Sequence, residues 1–443
     1  MNLKIAILGS IFFISNTLFA TEDLQSIYTL ALTSDPTLQA SEAAMESGKL
    51  SVPIAVSRFL PTLSGTANTV GHNDTGNFQG EHYNTHGYSI NLTQPIWHRE
   101  YWALYEQAKN NKNLSIANYA LAIQDLILRV SERYFNVLAA QDEVSFTRAQ
   151  RKAFERQLEQ TSQRFEVGLI AVTDVDEARA RRDEARANEI AAENDVADRF
   201  EQLREITGSL IDQLAPLNAS ALKLTPPLPN QMNDWVVMAN EQNLDLEIAR
   251  ARASIAYTEI ENQAAGHWPT LDANAGFQRN YDGRSTPPFT TDTISRTASL
   301  AINIPILQGG NVVYRTRQAR ANYDQAQKNA EVQLRSTFSL ARQSFRGVLT
   351  EISRVNALQQ SVVSNKSALQ ATQAAYDAGT RTIVDVLDAE TNLLRAVRDL
   401  AQARYRYILE GLRLKKAAGV LNNSDIILVN QLLQSYPSTS TVK

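Results

Sequence analysis

Asp385 and Asp388 stand three residues apart in the run Val384-Asp-Val-Leu-Asp388, a spacing that puts two carboxylates on one side of a helix. Asp174 and Glu177 form a second acidic pair at the same spacing. Carboxylates placed this way can gather cations, share a proton or serve general acid–base chemistry. They can also do something simpler, capping a helix and solvating its first turn, and for an isolated Asp-Val-Leu-Asp that alternative stays open.

Little else in the chain offers chemistry. Its 443 residues contain no cysteine, which excludes disulfides, thiolate metal sites, a cysteine nucleophile and a lipid anchor on an N-terminal cysteine. The five histidines, at 72, 82, 86, 98 and 267, have no recognised ligand spacing, and no phosphate-binding loop occurs. No cofactor or metal is therefore expected, and any energy for transport must come from a partner. With 43 basic and 47 acidic residues the net charge is −4 and no polybasic face dominates, so nucleic acid is not an expected partner. A hydrolase built on exposed carboxylates would need a pocket-forming α/β or β core, which the pattern around them does not supply.

The elements that carry the acids are duplicated. Arg164-Phe-Glu-Val-Gly-Leu-Ile-Ala-Val-Thr-Asp-Val175 returns from Ala375 onward, and a constant offset of 211 pairs Phe165 with Tyr376, Gly168 with Gly379, Asp174 with Asp385, Glu177 with Asp388 and Gly208 with Gly419. Arg58-Phe-Leu-Pro-Thr-Leu63 likewise corresponds to Gly266-His-Trp-Pro-Thr-Leu271. No proline lies between Pro95 and Pro216 or between Pro305 and Pro437, and Ile96 to Val167 lacks glycine as well. Such runs predict very long helices with one face buried, as in a coiled coil or tall bundle. Gly168 and Gly379 break them, Thr173-Asp174 is expected to cap the returning helix, and each half reads as a long helical hairpin.

Ahead of each helical run the period is two. Tyr88, Ile90 and Leu92 alternate with Ser89, Asn91 and Thr93, and Ala298, Leu300 and Ile302 with Ser299, Ala301 and Asn303, predicting strands with one polar face. Residues 71–84 and 281–293 read as exposed hairpin loops. Four strands cannot close a membrane barrel, so oligomerisation is expected, and three protomers would supply twelve.

Residues 1–20 read as a signal peptide, with Lys4 before an apolar run and a small Ala20. The rest divides into a first repeat (21–216, strand hairpin about 62–95, helices about 98–207), a linker or equatorial segment (217–235), a second repeat (236–420, strand hairpin about 270–305, helices about 308–418) and an equatorial segment with a flexible tail (421–443). No run of eighteen apolar residues follows the signal.

The segments around Gly168 and Gly379, with Leu203-Arg-Glu-Ile-Thr-Gly208, resemble the TolC family of outer-membrane efflux proteins over essentially the whole mature chain. The resemblance implies a membrane β-barrel joined to an α-helical barrel: a homotrimer with a twelve-stranded barrel among outer-membrane lipids and a long periplasmic coiled-coil duct. It also implies an exit duct for tripartite multidrug efflux pumps and type I secretion, working with a periplasmic adaptor and an inner-membrane pump or ABC transporter. By the same resemblance Asp385 and Asp388 constrict the duct as two rings, raise each other's pKa by repulsion, and can hold a polyvalent cation as a plug. Thr173, Asp174, Tyr376 and Arg381 would form the latch, Asp174 with Tyr376 and Thr173 against Arg381. Gln157 keeps its place while Gln373 replaces the usual glutamate, leaving an amide pair. Gly168, Leu169, Gly379 and Thr380 would be the adaptor-contact tips. A periplasmic coiled-coil adaptor is the alternative, against which the two strand hairpins argue.

Overall fold

The computed structural model describes residues 22–74, 81–283 and 291–434; the expected signal peptide, the centres of both strand hairpins and the last nine residues lie outside them. The helices are α1 (Leu24–Ser34), α2 (Pro36–Lys49), α3 (Ser51–Ser57), α4 (Arg99–Glu166), α5 (Val172–Thr207), α6 (Met232–Gln242), α7 (Leu244–Ala264), α8 (Asn311–Asp377), α9 (Ile383–Ala417) and α10 (Asn423–Asn430). The strands are β1 (Thr62–Asp74), β2 (Glu81–Trp97), β3 (Thr270–Asp282) and β4 (Thr291–Asn303). No described helix is long and apolar enough to cross a membrane.

The four strands form one antiparallel sheet in the order β1-β2-β3-β4. They run further than the alternation suggested, into polar sequence read above as loop. Ring stacking across strands, His72 on Tyr83 and His86 on Tyr281, each with centroids 4.6 Å apart, accounts for part of the extension. Strand β2 also continues past Pro95 through a register shift to Trp97.

Each strand stands on a helix, and the helices keep the strand order: α2 packs on α4, α4 on α7, and α7 on α8. Further from the sheet, α4 and α8 continue and take new partners, α5 and α9, with α9 lying against α4. At 1.5 Å per residue the 68-residue α4 is about 100 Å long. The core sits where the two tiers meet. Leu126, Ile127, Val130 and Phe135 of α4 bury against Leu24 and Ile27 of α1, Leu203 and Ile206 of α5, Leu412 of α9 and Ile426 of α10.

Sequence reading left α1–α3 and α6–α7 unassigned, and they extend the duplication. Asp35 ends α1 and caps α2 by accepting from the Leu38 amide (2.9 Å); Asn243 ends α6 and caps α7 by accepting from Leu246 (3.0 Å). Buried Asp35 also pairs with Arg129 of α4 at 2.6 Å. Burial pushes its carboxyl up, but the Arg129 guanidinium and the Leu38 amide outweigh this and leave it below the ordinary range. The equatorial segments close on each other, the Asn218 amide donating to Leu432 and the Gln434 amide to Pro216.

Tyr134 is fully buried and its hydroxyl donates to the Ala215 carbonyl (2.7 Å), pinning α4 to the chain leaving α5. Tyr134→Phe keeps the packing but leaves that carbonyl unpaired. Unfolding of the detergent-solubilised protein in denaturant should show a loss of about 1–3 kcal/mol, whereas an unchanged midpoint would contradict the role given to this bond.

Candidate gate and tip region

Both hairpin turns have the same backbone. The Gly168 amide bonds to Phe165 and the Leu169 amide to Arg164 (2.9 Å); the Gly379 amide bonds to Tyr376 and the Thr380 amide to Ala375 (2.9 Å). These six-to-one closures need a left-handed residue, and Gly168 (φ 74°) and Gly379 (φ 76°) provide it without a Cβ clash. The first turn exposes Val167 and Leu169, the latter 72% accessible. The second is polar, with the Thr380 hydroxyl turned back onto the Ala375 carbonyl (2.9 Å).

The helices restarting after the turns differ at their caps. Thr382 caps α9: its hydroxyl accepts from the Asp385 amide (3.3 Å) while the Asp385 carboxylate accepts from the Thr382 amide (2.9 Å) and hydroxyl (2.8 Å). At the repeat-related position α5 has Ala171, which has no side-chain acceptor. The expected cap by Thr173-Asp174 is corrected accordingly. The helix starts one residue before Thr173, so both side chains lie in the first turn and are exposed.

Asp385 is thus a capping carboxylate with Arg381 3.6 Å away. The Thr382 amide, then its hydroxyl, then Arg381 hold its carboxyl below the ordinary carboxylate range. In the single chain this is opposite to the upward shift expected from carboxylate repulsion. Local hydrogen bonds to the charged form, made within one turn, prevail. Asp388 points elsewhere. Its carboxylate lies 3.7 Å from Arg181 of α5, whose other arm donates to Glu177 at 2.8 Å. One arginine therefore sits between the repeat-related acids Glu177 and Asp388.

Between the hairpins lies a cavity of about 710 Å³ whose lining includes Gln157, Asp174, Glu177, Tyr376, Arg381 and Thr382. Thr173 and Gln373 are not part of that lining. The bonds across it differ from those the resemblance implied. Tyr376 accepts from Arg164 of α4 (2.9 Å), and Arg156 of α4 reaches Glu390 of α9 at 3.3 Å. Asp174 and Thr173 make no side-chain hydrogen bond among the described residues. Nor do the two amides meet: Gln373 donates along its own helix to Asp377 (3.2 Å), while the Oε1 of buried Gln157 has no partner. A glutamine reaches an acceptor one turn away at lower conformational cost than one on another hairpin. Sequence reasoning missed Arg156, Arg164 and Arg181 as ties between the halves. Periodicity marks them only as polar-face residues, and the register between two hairpins is not written in either one.

At the other end the pleat sorts the sheet into two faces. Ser64, Thr66, Asn68, Ser89, Asn91, Thr93, Asn274 and Thr297 share one, where Thr66 bonds Ser89 (2.8 Å) and Thr93 donates to Asn274 (2.9 Å). Leu63, Ile90, Leu92, Ala275, Leu300 and Ile302 share the other and are mostly exposed. An exposed apolar face on a sheet with a polar reverse is the pattern of a barrel wall between lipid and an aqueous lumen. Trp97 ends β2, while Tyr101 and Trp102 pack edge-on against Phe59 (5.7 and 5.1 Å). His98, just before α4, donates to the Asp272 carboxylate at 2.9 Å, tying the first repeat to β3 of the second.

The family described as "Outer membrane efflux protein" matches residues 27–209 and 235–420, both repeats. Outer membrane protein TolC from Escherichia coli (strain K12) is 37% identical over 434 residues, covering 96% of this chain and 88% of the relative. Proteases secretion protein PrtF from Dickeya chrysanthemi is 29% identical over 424 residues, covering 94% and 92%. Among solved structures, the Campylobacter jejuni CmeC outer membrane channel superposes with a TM-score of 0.76 at 18% identity, covering 93% of this chain and 90% of that one. Matches of this extent across both repeats establish that the chain belongs to the outer membrane efflux protein family, non-catalytic outer-membrane channels that act as exit ducts for efflux and secretion and extend helices into the periplasm.

Proposed function

We propose that three copies form one duct that serves tripartite multidrug efflux pumps and type I protein secretion, joined at the periplasmic end by an adaptor and an inner-membrane pump or ABC transporter. In this reading the tips Gly168-Leu169 and Gly379-Thr380 meet the adaptor, and the apolar exposure of Leu169 suits packing against a helical partner. Asp385 and Asp388 recur about the three-fold axis as two acidic constrictions of the closed duct. The observation that carries the reading is the set of polar ties concentrated near those acids: Arg164 to Tyr376, Arg181 to Asp388 and Arg381 to Asp385. Polar ties between solvated hairpins are individually weak and exchange readily with water, which suits a closure that must open. Thr173 and Asp174, whose side chains make no hydrogen bond among the described residues, are available to a neighbouring protomer. Gln157 and Gln373 do not meet within one chain, so an amide pair between them would have to join different protomers.

Replacing Tyr376 with Phe and Arg381 with Ser together should raise single-channel conductance in a planar bilayer severalfold. Equal conductance of variant and parent would remove these residues from the latch.

The acidic rings should bind a trivalent cation such as hexaamminecobalt, and Asp385→Ala with Asp388→Ala should weaken its block by at least roughly tenfold. Because the capping bonds lower the Asp385 carboxyl, its charge persists above the ordinary carboxylate value of 3.8 and is lost only as pH falls through the lowered one. Block should then be equal at pH ~7 and pH ~5. Block that fades between those two values would mean that repulsion within the rings overrides the cap.

A further inference from the structure

The apolar face of the sheet changes character along its length. Strand register places Leu271 with Ile302, Ala273 with Leu300, and Leu92 with Leu63 and Ala275, rows nearest the helices that carry no ionised side chain. The next rows toward the hairpin loops bring charge onto the same face. Gly65, Ile90, Phe277 and Arg296 form one row, Ala67, Tyr88, Arg279 and Ile294 the next, and Thr69, His86, Tyr281 and Asp292 a third. Since the helices extend into the periplasm, these rows face the outer leaflet.

An arginine on the lipid-facing side of a barrel is unfavourable in hydrocarbon and tolerated near the headgroups. Arg279 is held by Asp292 in a two-bond fork, Nε to Oδ1 at 3.0 Å and Nη2 to Oδ2 at 2.6 Å. Arg296 is exposed, lies 6.0 Å from the Phe277 ring, and has no carboxylate partner among the described residues. Aromatic rings surround the pair: Tyr88 lies 6.0 Å from Phe277, and Tyr281 stacks on His86 at 4.6 Å. Such rings favour the boundary between acyl chain and headgroup. On this face β1, which flanks β4 once three sheets close, offers Gly65, Ala67, Thr69, Gly71 and Asn73 above Leu63. No bulky side chain from that strand covers Arg296.

We propose that Arg296, with Arg279 beside it, is a docking site for a phosphate group of an outer-leaflet lipid, whose acyl chains lie along the Ile90, Leu92 and Leu300 rows. The chemistry is specific. A planar guanidinium with five N–H donors pairs two phosphate oxygens at once, and here no carboxylate among the described residues supplies its counter-charge. The Arg279–Asp292 fork fixes the neighbouring cation without neutralising Arg296. This site is independent of the gate, and its failure would leave the duct reading untouched.

The full-length protein in neutral-detergent micelles can be titrated with diphosphoryl lipid A and with its dephosphorylated form, bound lipid being counted by native mass spectrometry. The phosphorylated lipid should bind more tightly. Arg296→Gln should weaken that binding about fivefold, and Arg296→Lys should recover part of it, while single-channel conductance, read as a check of folding, stays unchanged. Equal binding of the two lipids, or binding by Arg296→Gln that matches the parent, would overturn the proposal. So would full competition by millimolar inorganic phosphate, which would mark a site for the free anion.

Discussion

Two unpaired strand edges govern this structure. Strands β1 and β4 each run for thirteen residues with one row of backbone N–H and C=O groups unpaired with any strand among the described residues, and the sheet exposes an apolar face. In a bilayer every such group costs several kcal/mol, and closure into a barrel is the way a sheet avoids that cost. Four strands are too few to close alone. Family members meet the constraint with three sheets in one barrel, and the helices follow because each strand stands on one of them in the same order. The array α2-α4-α7-α8 must curve as the sheet curves, so the lumen of the barrel continues as the lumen of the helical duct.

Duplication supplies the frame and small differences between the halves supply the asymmetry. Asp35 and Asn243 cap equivalent helices, but only Asp35 carries a charge, and it is matched by Arg129. The two tips share one backbone, yet Leu169 and Thr380 give them different surfaces. Thr382 opposite Ala171 makes one returning helix firmly capped and leaves the other without a side-chain cap, a difference typically of about 1 kcal/mol. The firmly capped helix is the one that carries Asp385. A carboxylate fixed by its own helix start cannot reorient freely, which holds its charge at a set position on α9. Arg181, by contrast, reaches between hairpins, so Asp388 is tied to a side chain of the other half.

Much of the fold was legible from residue order because its signals are long. Absence of proline and glycine from Ile96 to Val167 dictates an extended helix, Gly168 and Gly379 dictate where it turns, and alternation from Tyr88 to Thr93 dictates a strand. The helices α1–α3 and α6–α7 escaped because they lie outside the proline- and glycine-free runs and the strand alternation that marked the other elements, and the Asp35 and Asn243 caps become recognisable as a pair only once both helix junctions are seen. Strand ends escaped because polar residues such as His72 and Asn84 form good strand when a neighbour stacks or pairs with them. At the candidate gate, residue types were readable but partners were not. Tyr376 was expected against Asp174 and bonds Arg164, and Gln373 was expected against Gln157 and bonds Asp377. Which of several polar groups a side chain chooses depends on ångström-scale register between hairpins, and local partners within one turn win where they exist.

The claim on which the account rests is that the edges of β1 and β4 are closed by other copies of the same chain. Its most direct test is the mass of the particle extracted from outer membranes in mild detergent, with bound detergent subtracted. Three protomers per particle are predicted, resistant to dilution because separating them exposes strand edges. A particle containing one protomer, recovered from the membrane and still conducting in a planar bilayer, would contradict it.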